Sequence, residues 1–117
     1  MAATPPRDAD GHGIAVEVLA HSVVVRPVGE IDLDTAPALR LALTEALAHA
    51  SPARPVVVDC GRVTFCDSSA LNTLIAARRT AQESGAAVRL TDLNPQLLRL
   101  LEMTGVLSLF VAAEPTG

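Results

Sequence analysis

The stretch Pro55–Leu90, PVVVDCGRVTFCDSSALNTLIAARRTAQESGAAVRL, reads as strand, helix and strand in succession. Pro55 introduces Val56-Val57-Val58, a β-branched run without polar alternation, which suits a strand covered on both faces. Further on, Ala70–Ser84 sets Leu71, Leu74 and Ile75 at helical spacing, and Gly85 stands where a left-handed C-terminal cap belongs. Val88 and Leu90 mark a further buried strand. Two strands joined through a helix are parallel neighbours, so the fold class is α/β.

Upstream, Ile14, Val16 and Val18 alternate with Ala15 and Glu17, the period of a half-buried strand. Val23-Val24-Val25 begins a second strand that continues to Val28, with Pro27 at its end or at a bulge. Gly29–Asp34 reads as a polar loop. Asp34 or Thr35 is the expected cap of a helix starting at Ala36-Pro37, whose stripe is Leu39, Leu43 and Leu47 and which ends at Ser51-Pro52. Downstream, Asn94 caps a helix with Pro95 at its first position and Leu97, Leu98 and Leu101 on its buried face, stopped by Gly105. Leu107–Val111 reads as a short final strand. The predicted order is β-β-α-β-α-β-α-β, an α/β fold with a central, mostly parallel four- to five-stranded sheet and three to four helices. Residues 1–13 read as an arm, 14–111 as one domain and 112–117 as a tail.

Composition narrows the function. Of 117 residues half are hydrophobic but only 2% aromatic, so the core is aliphatic around Phe65 and Phe110. Net charge is -4, and there is no Trp, no Tyr and no run of positive charge, which argues against nucleic-acid binding. No apolar stretch approaches the roughly 18 residues of a spanning helix, and residues 1–13 lack the apolar segment of a signal peptide. The chain is therefore expected in the cytoplasm, away from membranes. Cys60 and Cys66 have neither zinc nor redox spacing and read as small buried hydrophobes.

In an open α/β sheet, function gathers beyond the carboxyl ends of the parallel strands. Two segments are expected to meet there, Gly29-Glu30-Ile31-Asp32-Leu33-Asp34 and Phe65-Cys66-Asp67-Ser68-Ser69. The second sets two hydroxyls at a helix N-terminus, whose free N–H groups favour negative charge. Helix capping by Asp67 or Ser68 is the plain structural explanation of that triplet. A serine nucleophile needs a base, and His12, His21 and His49 all fall away from this rim. A G-x-S-x-G elbow is absent, so a hydrolase is disfavoured. Glu30, Asp32, Asp34 and Asp67 form a solvated acidic rim, with no phosphate-binding glycine loop to make it a Mg²⁺ site. Neither a cofactor nor a metal is expected, and Arg78-Arg79 reads as exposed helix surface.

Gly29-Glu30-Ile31-Asp32, followed by Val63-Thr64-Phe65-Cys66-Asp67-Ser68-Ser69-Ala70-Leu71, Thr91-Asp92-Leu93-Asn94-Pro95 and Leu98–Gly105 (LRLLEMTG), resembles the STAS domain of anti-sigma factor antagonists over Ile14 to Val111. The resemblance implies a non-enzymatic partner switch. The unmodified antagonist binds an anti-sigma factor, a serine kinase with a histidine-kinase-like ATPase fold, and frees a sigma factor for transcription. Phosphorylation of the serine after the loop aspartate, here Ser68, breaks the complex, and a PP2C-type phosphatase resets it. The partner surface this implies is Asp32, Asp67, Ser68, Ser69, Ala70 and Asn72. Ala70 and Asn72 stand where the family has glycines, so a methyl group is expected to face the kinase. The same fold also occurs as a small subunit on the ATPase of lipid-transport ABC complexes, the alternative reading. A monomer or a weak homodimer is expected.

Overall fold

The computed structural model describes residues 13–111; the expected arm up to His12 and the tail over 112–117 lie outside the described residues. Ten elements follow one another: β1 (Ala15–Val18), β2 (Val23–Arg26), β3 (Val28–Ile31), α1 (Ala36–Leu47), β4 (Val56–Asp59), β5 (Arg62–Cys66), α2 (Ser68–Glu83), β6 (Val88–Thr91), α3 (Pro95–Met103) and α4 (Leu107–Val111). Four strands form one sheet in the order β1-β2-β4-β6. β1 and β2 are an antiparallel hairpin, whereas β2–β4 and β4–β6 are parallel. The mostly parallel α/β sheet is thus as the strand–helix–strand reading requires.

The strands expected to be buried on both faces divide by parity. Val23, Val25, Val56, Val58, Val88 and Leu90 enter one aliphatic core with Leu39 and Leu43 of α1 and Leu71 and Leu74 of α2. The intervening Val57, Asp59, Arg89 and Thr91 are only half-buried. Gly85 takes φ +75°, the left-handed conformation that ends α2.

The structure corrects the expected order at two places. The first is the polar loop over Gly29–Asp34 and the unassigned segment before Asp67. Val28–Ile31 and Arg62–Cys66 pair as a separate two-stranded parallel sheet, β3 with β5. Gly29 has φ +85° and the register shifts between Gly29 and Glu30, so a bulge breaks the period-2 pattern that marks a strand. Pro27 is buried between β2 and β3, where its missing N–H interrupts the ladder.

The second correction concerns Leu107–Val111, which is the short helix α4 and not a strand. Helical spacing sets Leu107 and Phe110 three residues apart on one face. Phe110 is buried and Leu107 packs against the same core. A strand would send these two side chains to opposite faces. Arg78, expected on free helix surface, is half-buried and donates from Nε to the Leu109 carbonyl at 3.2 Å, tying α2 to α4.

Candidate functional site

β3 and β5 start just beyond the carboxyl ends of β2 and β4, and their pairing brings the two acidic segments together. Ile31 and Cys66 are registered partners, and the Asp67 N–H donates to the Ile31 carbonyl at 3.2 Å. Asp32 and Asp67, the residues that follow, therefore leave the little sheet side by side.

Each aspartate is committed to its own turn. Asp32 Oδ1 accepts the backbone N–H groups of Asp34 (3.0 Å) and Thr35 (3.1 Å). The Thr35 hydroxyl accepts the Asp32 N–H at 2.8 Å and lies 2.8 Å from the Glu30 carbonyl. Thr35 is the N-cap residue of α1 as expected, but its side chain binds this loop and not the helix. The β3–α1 turn is thus cross-linked by the Asp32 and Thr35 side chains, with its acidic edge outward.

On the facing loop, Asp67 is the N-cap of α2 and accepts the Ser69 N–H at 2.8 Å. The capping explanation is correct for Asp67, and it leaves Ser68 at the first helical position with no capping duty. The buried stripe of α2 is Ala70, Leu71, Leu74, Ala77 and Ala81. Ser68 and Asn72, one turn apart, fall on the other side and are exposed, while Ser69 and Asp67 are half-buried. Ala70 belongs to the stripe and is 0% exposed. Its methyl group faces the core, so the expected contact of Ala70 with a partner is corrected: the third helical position points back to the sheet.

Sequence reasoning missed what holds this rim from behind. β5 pairs with β3 along one edge only, and α3 supplies side-chain amides along the other. Gln96 Oε1 accepts the Cys66 N–H (3.1 Å) while its Nε2 donates to the Cys66 carbonyl (3.0 Å). Asn94 Nδ2 donates to the Val63 carbonyl at 2.7 Å, and Asn94 Oδ1 caps α3 through the Leu97 N–H at 2.8 Å. The cap was legible from Asn94-Pro95. The clip was not, because its partners lie 30 and 31 residues away. The two jobs of Asn94 are separable by mutation. Asn94→Ala is expected to cost about 1.5–3 kcal/mol, from a lost cap and an orphaned Val63 carbonyl. Asn94→Ser keeps a cap acceptor and removes the amide donor without setting a carboxylate against the Val63 carbonyl, so its urea midpoint should lie between those of wild type and Asn94→Ala.

Cys60 and Cys66 are free and buried, as expected of small hydrophobes. Burial, and secondarily neighbouring negative charge, pushes the Cys60 thiol up to about 12 and the Cys66 thiol up to about 11. A pKa raised on folding favours the folded state below the unfolded value of 9.0 and loses that contribution as pH rises through the folded values. The melting temperature is expected to fall between pH 9 and about 11–12, and Cys60→Ala should flatten the fall. Thiol titration at pH 8 should find neither cysteine reactive until denaturant is added.

Among the described residues no helix is long and apolar enough to cross a membrane, and no three His, Cys, Asp or Glu side chains converge as a metal site. The site is an exposed hydroxyl on a helix N-terminus, with acidic turns around it.

Comparison with known proteins identifies the family and the fold. A family model described as the Mlab STAS domain matches residues 14–111. An anti-sigma F factor antagonist of Paenibacillus polymyxa is 29% identical over 84 residues, which cover 72% of this chain and 71% of the relative. The crystal structure of an anti-sigma factor antagonist from Mycobacterium paratuberculosis has a TM-score of 0.70 at 32% identity, over 84% of this chain and 81% of that one. The Bacillus cell fate determinant SpoIIAA in its phosphorylated form shares the fold, with a TM-score of 0.63 at 20% identity over 85% of this chain and 89% of that one. With the family model matching residues 14–111 and a mixed, mostly parallel sheet shared with these solved structures, the chain belongs to the STAS domain family.

Proposed function

We propose that this protein is an anti-sigma factor antagonist whose partner binding is switched at Ser68. Unmodified, it binds an anti-sigma factor serine kinase of the histidine-kinase-like ATPase fold and frees a sigma factor. Phosphorylation of Ser68 ends that complex, and a PP2C-type phosphatase restores the binding form. The protein acts as a regulator and not as an enzyme. The observation that carries this reading is the exposed Ser68 at the first position of α2, relieved of capping by Asp67 and flanked by the Asp32 turn. The names of the Paenibacillus and Mycobacterium relatives point the same way.

Physical chemistry supports the choice of serine. A phosphate at the start of a helix meets free N–H groups and the positive end of the helix dipole, so the fold tolerates it. A partner docked on the same rim meets about -1.5 to -2 new charges beside Asp32 and Asp67. The contact surface proposed is Asp32, Asp67, Ser68, Ser69 and Asn72, with Ala70 packing beneath it.

The test uses Ser68→Ala and Ser68→Asp proteins as baits in extract of the native host, with captured proteins identified by mass spectrometry. The alanine form should retain a histidine-kinase-like ATPase that the aspartate form loses. Identical captures would overturn the Ser68 switch, and an ABC-type ATPase among them would assign the chain to a transport complex instead.

A further inference from the structure

The sheet face that looks away from the core carries its charges in a regular order. Strand register sets Glu17, Val24, Val57 and Arg89 side by side in one row across β1, β2, β4 and β6. In the neighbouring row Arg26 lies beside Asp59, with Nε 3.8 Å from Oδ2. Apart from Val24, 8% exposed, these side chains are only half-buried. Arg26 Nη1 also pairs with Glu17 at 2.7 Å, whereas Arg89 Nε is buried with no hydrogen-bond partner among the described residues.

This order is its own complement under one symmetry operation. A two-fold axis parallel to the strands, lying between two copies of the face, reverses each row onto itself. Glu17 then meets Arg89 of the second copy, Val24 meets its Val57, and Arg26 meets its Asp59. Both members of every pair recur, as an isologous contact demands. A two-fold axis across the strands would set Arg26 against Val24 and Asp59 against Val57, leaving every charge unmatched. Sheets stacked face to face align within about 30° at a separation of about 10 Å, which the first arrangement permits.

We propose that this open sheet face is a two-fold self-association surface whose occupant is a second copy of the chain. Four strands span only about 15 Å, so the contact falls below the roughly 1,200 Å² of standard interfaces and belongs to the weak, transient class. It lies on the opposite side of the sheet strands from the core and does not depend on the reading of Ser68.

Sedimentation equilibrium of the wild-type protein, up to about 1 mM, covers the affinity range of such a contact. Glu17→Arg and Arg89→Glu are measured alone and mixed in equal amounts, with circular dichroism confirming that each is folded. Wild type should dimerise reversibly. Each variant alone should associate about tenfold or more weakly, because two attractive contacts per dimer become repulsive. The mixture should recover association, since one copy then presents acid at both positions and the other base at both. A wild-type protein that stays monomeric overturns the proposal. So does a variant that dimerises like wild type, or a mixture no better than its components. Should a variant unfold, wild-type protein in concentrated salt decides: weaker association is expected, and unchanged association overturns the pairing.

Discussion

Phosphoserine at position 68 is expected to lower affinity for the proposed kinase partner about a thousandfold, a change of about 4 kcal/mol, while leaving the melting temperature unchanged or slightly raised. The two halves of this result have one cause. Ser68 opens α2, where the first N–H groups are unpaired and the helix dipole is positive, and acidic groups there contribute about 0.3–1 kcal/mol to the fold. The surface around it is already acidic through Asp67 and the Asp32 turn. New negative charge therefore suits the domain and opposes any partner that buries the same rim. Ser68→Asp, with a single charge, should lower affinity about a hundredfold by the same route. Titration calorimetry with the captured ATPase, beside thermal melts of the same samples, separates the outcomes. A matched loss of affinity and of melting temperature would mean that the modification unfolds the loop, and the switch as described would be wrong.

Phe110→Ala is expected to destabilise the domain by about 3–5 kcal/mol, the range for removing a large buried side chain. Phe110 is 2% exposed and is the largest of the fully buried side chains, although it sits in a five-residue helix near the end of the described chain. Such a helix has no independent stability. It is held by Phe110 in the core and by the Arg78 bond to the Leu109 carbonyl. Leu109, 37% exposed, serves as the control, and Leu109→Ala should change stability by about 0.5 kcal/mol or less. Urea unfolding of both variants reads the difference directly. Equal small effects would mean that α4 is not docked in solution.

These two residues also mark the limits of sequence reading. Short-range information shows two hydroxyls at a helix N-terminus, which capping explains; the resemblance to the STAS antagonists is what singles out Ser68 between them. The helix itself follows from 3.6-residue periodicity applied to Leu71, Leu74 and Ile75. The sequence starts it at Ala70 and leaves its cap open between Asp67 and Ser68, whereas the structure starts it at Ser68 with Asp67 as cap. The same periodicity places Ala70 inward, and counting it from Asp67 would have removed Ala70 from the partner surface. Of the two phenylalanines expected in the core, Phe65 on β5 is 42% exposed, while Phe110 is buried but lies in a helix where a strand is expected. LSLFV is β-prone by composition, and five residues are too few for a period to distinguish helix from strand.

The α/β class, the parallel central strands, the helix limits at Asn94-Pro95 and Gly85, and the pair of hydroxyls at the start of α2 are legible in the sequence. Each is written in residues within a few positions of one another, where backbone sterics, capping and hydrophobic alternation act. The tertiary structure alone decided that Gly29–Ile31 and Arg62–Cys66 are strands. Neither has the pattern of one; the two hold each other, and Arg62–Cys66 is held in addition by the amides of Asn94 and Gln96 some 30 residues away. Their pairing sets Asp32 beside Asp67, so the site is a product of contacts between segments that do not specify each other locally. Backbone hydrogen bonds across such distances depend on where the whole chain goes, because a carbonyl or an N–H group is the same in every residue.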